Sequence, residues 1–207
     1  MSNEYERWEA RYAAPDFIFG TAPNAFLKSQ THLLRKGQTA EKLTALSIAD
    51  GEGRNGVFLA EQGLNVLSLD FSPHAQAKVR KLADERGVKL LIEQANVIEW
   101  SYPADTFDVV AAIFIQFAAP VDRTKIFTGI KRALKKGGRL LMQGYTPKQL
   151  EYKTGGPPHL DHLYTREMIE AAFGDFSKLD IREHESTITE GTHHVGMSAL
   201  IDVVAVK

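Results

Sequence analysis

The sequence predicts an α/β protein, a doubly wound and mostly parallel seven-stranded sheet with helices on both faces and a C-terminal antiparallel hairpin. Three observations carry this expectation. Short apolar runs alternate with stretches of helical spacing from Leu43 to Gly144. A pair of glycines, Gly51 and Gly53, separates the first such run from the helix after it. Two long strand-like runs, Phe176 to Thr189 and His194 to Val206, close the chain around Glu190-Gly191-Thr192, a break that suits a hairpin.

Taken in order, Glu4 to Tyr12 places Tyr5, Trp8 and Tyr12 at helical spacing and reads as a short amphipathic helix. Ala13 to Asn24 is punctuated by Pro15, Gly20 and Pro23 and reads as loop, with Pro23 opening a helix through Leu34. Phe17 and Phe19 in that loop either cover a ligand or pack on the core. Leu43 to Ala49 is apolar enough for a central strand, and the run from Asn55 to Ala60 continues it as a helix. Asn65 to Leu69 is the second strand and ends in Asp70. Beyond it come a helix over Pro73 to Arg86, strands over Lys89 to Glu93 and Phe107 to Phe114, a helix over Val121 to Leu134 and a strand over Arg139 to Gly144. Lys135-Lys136-Gly137-Gly138 reads as a helix stop and tight turn. The connection from Tyr145 to Tyr164 is long, and such connections serve function or motion. The expected organisation is one domain over 1–207, with 1–36 a helical cap and 145–164 a loop on the substrate side.

Composition bounds the partners. A net charge of −1 gives no general attraction to nucleic acid or to an anionic membrane. With no cysteine there is no disulfide, thiolate metal site or cysteine nucleophile, as a reducing cytosol allows. No apolar run approaches a membrane span, and Met1 to Arg11 is charged and aromatic rather than signal-like. A cytoplasmic monomer or homodimer is expected, with a small molecule as its partner and neither nucleic acid nor membrane.

Gly51-Glu52-Gly53-Arg54-Asn55-Gly56 lies where a strand runs into a helix, so backbone N–H groups and the positive end of the helix dipole are available to a ligand. Asp70 follows about twenty residues later at a strand's end, where a carboxylate accepts both hydroxyls of a ribose. Nucleoside-type cofactor binding follows. The same loop satisfies G-x-G-x-x-G, so an NAD(P)-binding oxidoreductase stays open as an alternative. Against it stand the late position of the loop, the lack of a second catalytic domain and the lack of a helical Tyr-x-x-x-Lys pair.

The order of these pieces resembles a known family. Helices before the first strand, Gly-x-Gly-Arg-Asn after it, Asp70, Leu134 to Gly138 before the fifth strand and a closing hairpin together resemble a class I S-adenosylmethionine-dependent methyltransferase of Rossmann-like fold. The resemblance is greatest to the small tellurite-resistance and thiopurine-methyltransferase-like branch, in which a loop like Phe19 to Asn24 precedes the first sheet strand. It implies S-adenosyl-L-methionine as cofactor and in-line displacement of its methyl onto a small-molecule acceptor. It implies cofactor contacts at Phe19, Asn24, Ala49, Gly51, Gly53, Asn55, Asp70, Phe71, Asn96, Val97, Ile113 and Phe114, with Gln116 facing the sulfonium. Ser47 stands where the family commonly has an acid, Ala49 where it has glycine and Asn96 where it has aspartate. Asp50, Glu52 or a carbonyl near Ile113 is left to neutralise the cofactor's ammonium group. Those departures also fit a module that binds the cofactor without turnover.

Such chemistry needs placement more than a catalytic triad. Tyr145, His193 and His194 are the catalytic candidates, with Tyr152 beside them as a possible wall of the acceptor site. Adjacent residues of a strand face opposite ways, so at most one of His193 and His194 reaches the site. His159 and His162 lack a third ligand, and no metal is expected. Glu183, Glu185 and Glu190 read as a solvated strand edge.

Overall fold

The computed structural model describes residues 2–34, 42–192 and 194–207. In chain order the elements are helices α1 (Ser2–Tyr12) and α2 (Ala25–Ser29), strand β1 (Thr44–Ser47), α3 (Arg54–Glu61), β2 (Asn65–Asp70), α4 (Pro73–Arg86), β3 (Leu91–Gln94) and β4 (Phe107–Ile113). There follow α5 (Pro120–Ala133), β5 (Leu134–Tyr145), α6 (Gln149–Tyr152), α7 (Arg166–Phe173), β6 (Lys178–Glu190) and β7 (His194–Val206). The seven strands lie in the order β3-β2-β1-β4-β5-β7-β6. The first five are parallel, and β7 runs antiparallel between β5 and β6. The direction of winding reverses between β1 and β4, so the crevice for a ligand opens at the C-terminal ends of those two strands.

The pleat divides the core. Leu46, Ile48, Val110, Ala112, Leu140 and Met142 face one way, onto α5 and α7. Ala45, Val109, Ala111 and Leu141 face the other way, onto Phe26, Leu27, Phe58 and Leu59 of α2 and α3. Both faces are covered, which is why these strands read as unbroken apolar runs.

Three expectations from the sequence change. The helix expected through Leu34 stops at Ser29 and resumes as a 3-10 turn, Thr31–Leu34. Ser29 and Thr31 donate their hydroxyls to the carbonyls of Phe26 and Lys28, the local competition that disfavours these residues inside helices. Strand β5 begins at Leu134 rather than Arg139, because Lys135 to Gly138 is an irregularity within the sheet. Gly137, at φ +78°, donates its N–H to the carbonyl of Lys207. The connection after Tyr145 contains α6 and a second 3-10 turn, Leu160–His162. Its Gln149 side chain donates to Thr154 and Gly155 and accepts from the Ala199 N–H, so the segment is fastened to β7.

Candidate active site

β1 runs into a turn in which Ala49, Gly51 and Gly53 have φ of +46°, +57° and +89°. The conformation is left-handed at all three, an ordinary one for glycine and a costly one for alanine. The glycines serve different neighbours. A Cβ on Gly53 would meet Val79 of α4 at 2.8 Å, and one on Gly56 would meet the Asp50 carboxylate at 2.2 Å. Gly51 borders the smaller cavity together with Tyr12, whose hydroxyl lies 2.9 Å from where a Cβ on Gly51 would stand. Gly53 is therefore a packing glycine, in place of the ligand contact expected from the sequence.

Two buried carboxylates hold this turn. Asp70 accepts from the Gly51 N–H at 2.8 Å and from the Ser72 N–H at 2.9 Å. Burial pushes its carboxyl up, with help from Asp50 and Glu9, and those two N–H groups oppose the rise, leaving it at about 6. Asp50 accepts from the Ser47 and Ser68 hydroxyls at 2.7 Å each and from the Gly56 N–H at 3.1 Å. Burial raises it too, against these three donors and the Arg54 charge. Glu52 points away from the crevice. It accepts from Lys78 at 2.7 Å and from the N–H groups of Ile18 and Phe19 at 3.2 Å, clamping the amino-terminal loop onto the body.

The hairpin turn meets that loop from the other side. Thr192 donates its N–H to the Ile18 carbonyl at 2.9 Å, and a Cβ on Gly191 would overlap the same oxygen at 2.2 Å. Arg54 Nη2 lies 2.7 Å from Glu190 Oε2. Burial would raise the Glu190 carboxyl, yet His194, Arg54 and the Ala25 N–H hold it down at about 2. Glu190 is thus a buried anchor, and the reading of it as solvated edge is corrected; Glu183 and Glu185 do lie at the exposed edge.

Two adjoining cavities lie beneath this cover. The smaller, about 90 Å³, is bounded by Ala49, Gly51, Asp50, Arg54, Asp70 and Phe71. The larger, about 460 Å³, extends toward Gly155 to His159. Trp8, Phe19, Phe114 and His194 border both. Phe114 has φ +55°, an outlier for a bulky residue, and its ring stacks on Tyr145 at 4.7 Å and meets His194 edge-on at 4.6 Å. His194 also packs on Phe19 at 4.6 Å, which puts it at the junction of the cavities. Asn55 and Ile113 join the wall of the smaller cavity, and Tyr145 that of the larger.

Other residues singled out in the sequence lie elsewhere. Asn24 caps α2 through the Leu27 N–H and donates to Gln143 and Glu190, so its side chain is committed to the cover. Asn96 is exposed and accepts from the Ile98 N–H, while Val97 is buried in the main core; neither borders the two cavities. The Gln116 amide binds Tyr145 through its carbonyl and N–H and reaches the His162 carbonyl, holding the 145–164 connection in place, and Gln116 also borders the larger cavity. Tyr152 pairs with Glu185 at the exposed edge of the sheet, away from both cavities. His193 lies outside the described residues. The His159 and His162 rings lie tilted against each other at 5.3 Å, and among the described residues no three His, Cys, Asp or Glu are grouped as metal ligands. Arg54, Trp8 and Tyr12, which border the cavities beside Asp50, were not singled out as ligand contacts by the sequence. Arg54 sits inside the quoted motif, and the spacing of Trp8 and Tyr12 showed a buried helix face without showing what it covers.

The donor set suits an aminoacyl nucleoside carrying both charges. Asp70 stands where ribose hydroxyls can donate, Asp50 supplies a carboxylate close to the place of the missing Ser47 acid, and Arg54 Nη1 is buried with no hydrogen-bond partner. Phe71, tilted against Tyr5 at 5.2 Å, offers a ring face to a base. The smaller cavity alone falls below the roughly 300 to 1,000 Å³ of small-molecule sites, and the two cavities together fall within it.

Residues 45–138 match the methyltransferase domain family. The chain is 31% identical over 104 residues to demethylmenaquinone methyltransferase of Thermus thermophilus, covering 49% of this chain and 47% of that one. It is 26% identical over 145 residues to phosphatidylethanolamine N-methyltransferase of Cereibacter sphaeroides, covering 69% and 66%. The matches thus span about half and just under two thirds of these relatives' lengths. TehB from Haemophilus influenzae superposes with a TM-score of 0.66 at 13% identity, over 99% of this chain and 67% of that one. The likeness is spread over several methyltransferases and singles out no one branch. The family match is confined to residues 45–138, under half of the chain, and the chain as a whole shares the fold of solved S-adenosylmethionine-dependent methyltransferases.

Proposed function

We propose that this chain is an S-adenosylmethionine-dependent methyltransferase acting on a small-molecule acceptor. The observation that carries the reading is the Asp70 carboxylate, pinned by the N–H groups of Gly51 and Ser72 on the wall of a crevice at the sheet's switch point. When bound, the cofactor supplies a methyl on a sulfonium, which leaves as a neutral thioether on in-line displacement. In this reading Asp70 holds the ribose, Phe71 the adenine, Asp50 the ammonium group and Arg54 Nη1 the carboxylate. Ala49 and Gly51 supply bare backbone beneath the methionine part. Phe114 and His194, at the junction of the cavities, separate the cofactor side from the acceptor side.

Tyr145 and His194 handle the acceptor. Burial keeps the Tyr145 phenol protonated far above neutral pH, so it donates a hydrogen bond rather than acting as a base. His194, backed by Glu190 at 3.7 Å, is placed to take a proton from an acceptor that arrives protonated. The cover made by residues 17–20 and the hairpin turn excludes water from the transfer. Oligomeric state aside, a cytoplasmic location fits the absence, among the described residues, of any helix long and apolar enough to cross a membrane.

Release of S-adenosylhomocysteine over a panel of thiols, amines and acids tests the reading. Turnover with at least one acceptor class, lost in His194→Ala and reduced in Tyr145→Phe, is expected. Cofactor binding with no release across the panel would reduce the protein to a binding module.

A further inference from the structure

The larger cavity has a charge pattern that the chain's composition does not have. The sequence carries 26 acidic against 25 basic side chains, yet among the described residues no aspartate or glutamate borders this cavity. Arg7 and Arg11 border it from α1, His159 and His162 from the connection after β5, and His194 from the hairpin. Three separate segments therefore contribute nitrogen donors to one space, and none of their described residues contributes a carboxylate.

Apart from Gln116 and Tyr145, the remaining walls are apolar. Trp8, Phe19, Phe114 and Phe117 present rings to it. Trp8 is flanked by both guanidinium groups, Arg11 at 4.9 Å and Arg7 at 5.9 Å from the ring centroid. A guanidinium stacked on an indole keeps its N–H edges directed sideways, the arrangement that receives a planar acid group in the plane of the fork. At the inner end, the Tyr145 hydroxyl is buried with no hydrogen-bond partner. A buried donor left unmatched is costly, and a bound molecule with an acceptor atom there removes the cost.

We propose that the methyl acceptor is a planar, largely apolar organic acid, its acid group held by Arg7 and Arg11 at the mouth of the larger cavity and its inner end accepting from Tyr145. The proposal rests on the methyltransferase reading for the word acceptor, and on the cavity alone for the anion site. A neutral isostere loses the charge-assisted contacts and keeps the ring contacts. A cationic molecule meets five basic or imidazole groups and no carboxylate.

The test uses the full chain and two matched probes, 2-naphthoate and 2-naphthamide, followed by quenching of Trp8 fluorescence with S-adenosylhomocysteine present and absent. Trp100, edge-on to Tyr102, borders neither cavity, so its emission serves as the internal reference. The carboxylate is expected to bind at least about tenfold more tightly than the amide, with a preference that shrinks as salt is raised. In the double variant R7Q/R11Q the preference falls to within about twofold while amide binding is unchanged. The single variant R11Q, altered at an exposed position, serves if the double variant melts early, and it lowers the preference partway. Equal affinity for the two probes, no binding of the carboxylate, or a preference untouched by either variant overturns the proposal. Calorimetry with S-adenosylhomocysteine separates the two levels. Nucleoside binding without acid preference leaves the methyltransferase reading standing and removes this one, and acid preference without nucleoside binding does the reverse.

Discussion

Arg54 Nη2 sits 2.7 Å from Glu190 Oε2, joining the first turn of α3 to the tip of a hairpin that lies 136 residues away in the chain. The pair ties the glycine turn to its cover. Both side chains are about nine-tenths buried, and removing one partner of such a pair costs about 3 to 5 kcal/mol because the other charge stays buried alone. Glu190→Gln should therefore lower the unfolding free energy in urea by about 3 kcal/mol and weaken cofactor binding. The carboxyl is held at about 2, below its ordinary 4.5, so its contribution is present above pH 4.5 and is lost as the pH falls toward 2. A wild-type unfolding curve unaffected by the substitution at pH 7 contradicts the anchor.

Much of this was legible in the sequence, and what was not has physical causes. Alternating apolar runs located every strand of the parallel sheet, because strands covered on both faces have no polar side to interrupt them. Asp70 was legible because its position at the end of a strand has meaning in one dimension. Glu190 was not, since its role depends on Arg54 arriving from across the sheet. Asn24 and Asn96 were assigned by analogy to a ligand, and both satisfy backbone N–H groups of their own segments instead. The larger cavity was legible only in outline, through Tyr145, His194 and the 145–164 connection, while the part of Arg7 and Arg11 of α1 was not, because only the tertiary fold brings them to that connection.

Ala49 occupies a left-handed conformation at φ +46°. An L-residue with a Cβ loses roughly 1 to 2 kcal/mol there, against roughly 0.4 to 1 kcal/mol of extra chain entropy that glycine forfeits on folding. Ala49→Gly should stabilise the protein by about 0.5 to 1 kcal/mol, measured by urea unfolding, with cofactor affinity retained. A destabilised variant would mean that the alanine methyl has packing value outweighing the backbone cost.

Gly191 is the reverse case. Its φ is +64°, and a Cβ would stand 2.2 Å from the Ile18 carbonyl and 2.5 Å from Phe19 backbone atoms. Backbone cannot step aside as a flexible side chain can. Gly191→Ala should separate the hairpin turn from the loop over the site. The expected result is a loss of about 2 kcal/mol in stability and faster proteolysis within residues 13–22. Wild-type protease resistance in the variant argues against the contact.

Asp70 makes cofactor binding depend on pH. Its carboxyl is raised from 3.8 to about 6 in the folded chain, so its ionisation costs folding about 3 kcal/mol. The sign follows: stability from this group is full below pH 3.8 and is lost as the pH rises through 6. Ribose hydroxyls donate to the ionised form, so binding runs the other way. S-adenosylhomocysteine should bind about tenfold more weakly at pH 5 than at pH 7 in calorimetry, and Asp70→Asn should flatten that dependence. An unchanged slope in the variant would contradict the assignment of the pH effect to Asp70.

The central claim is that a nucleoside cofactor is held by Asp70 at the switch point of the sheet. Calorimetric titration of the wild-type chain and of Asp70→Ala with S-adenosylmethionine, and of the wild-type chain with NADH, tests it most directly. The expected result is one site per chain for S-adenosylmethionine, no heat with NADH, and a dissociation constant raised at least about a hundredfold by the substitution, the loss of two hydrogen bonds to a charged group. Equal affinity in the variant, or saturable binding of NADH in place of S-adenosylmethionine, would contradict it.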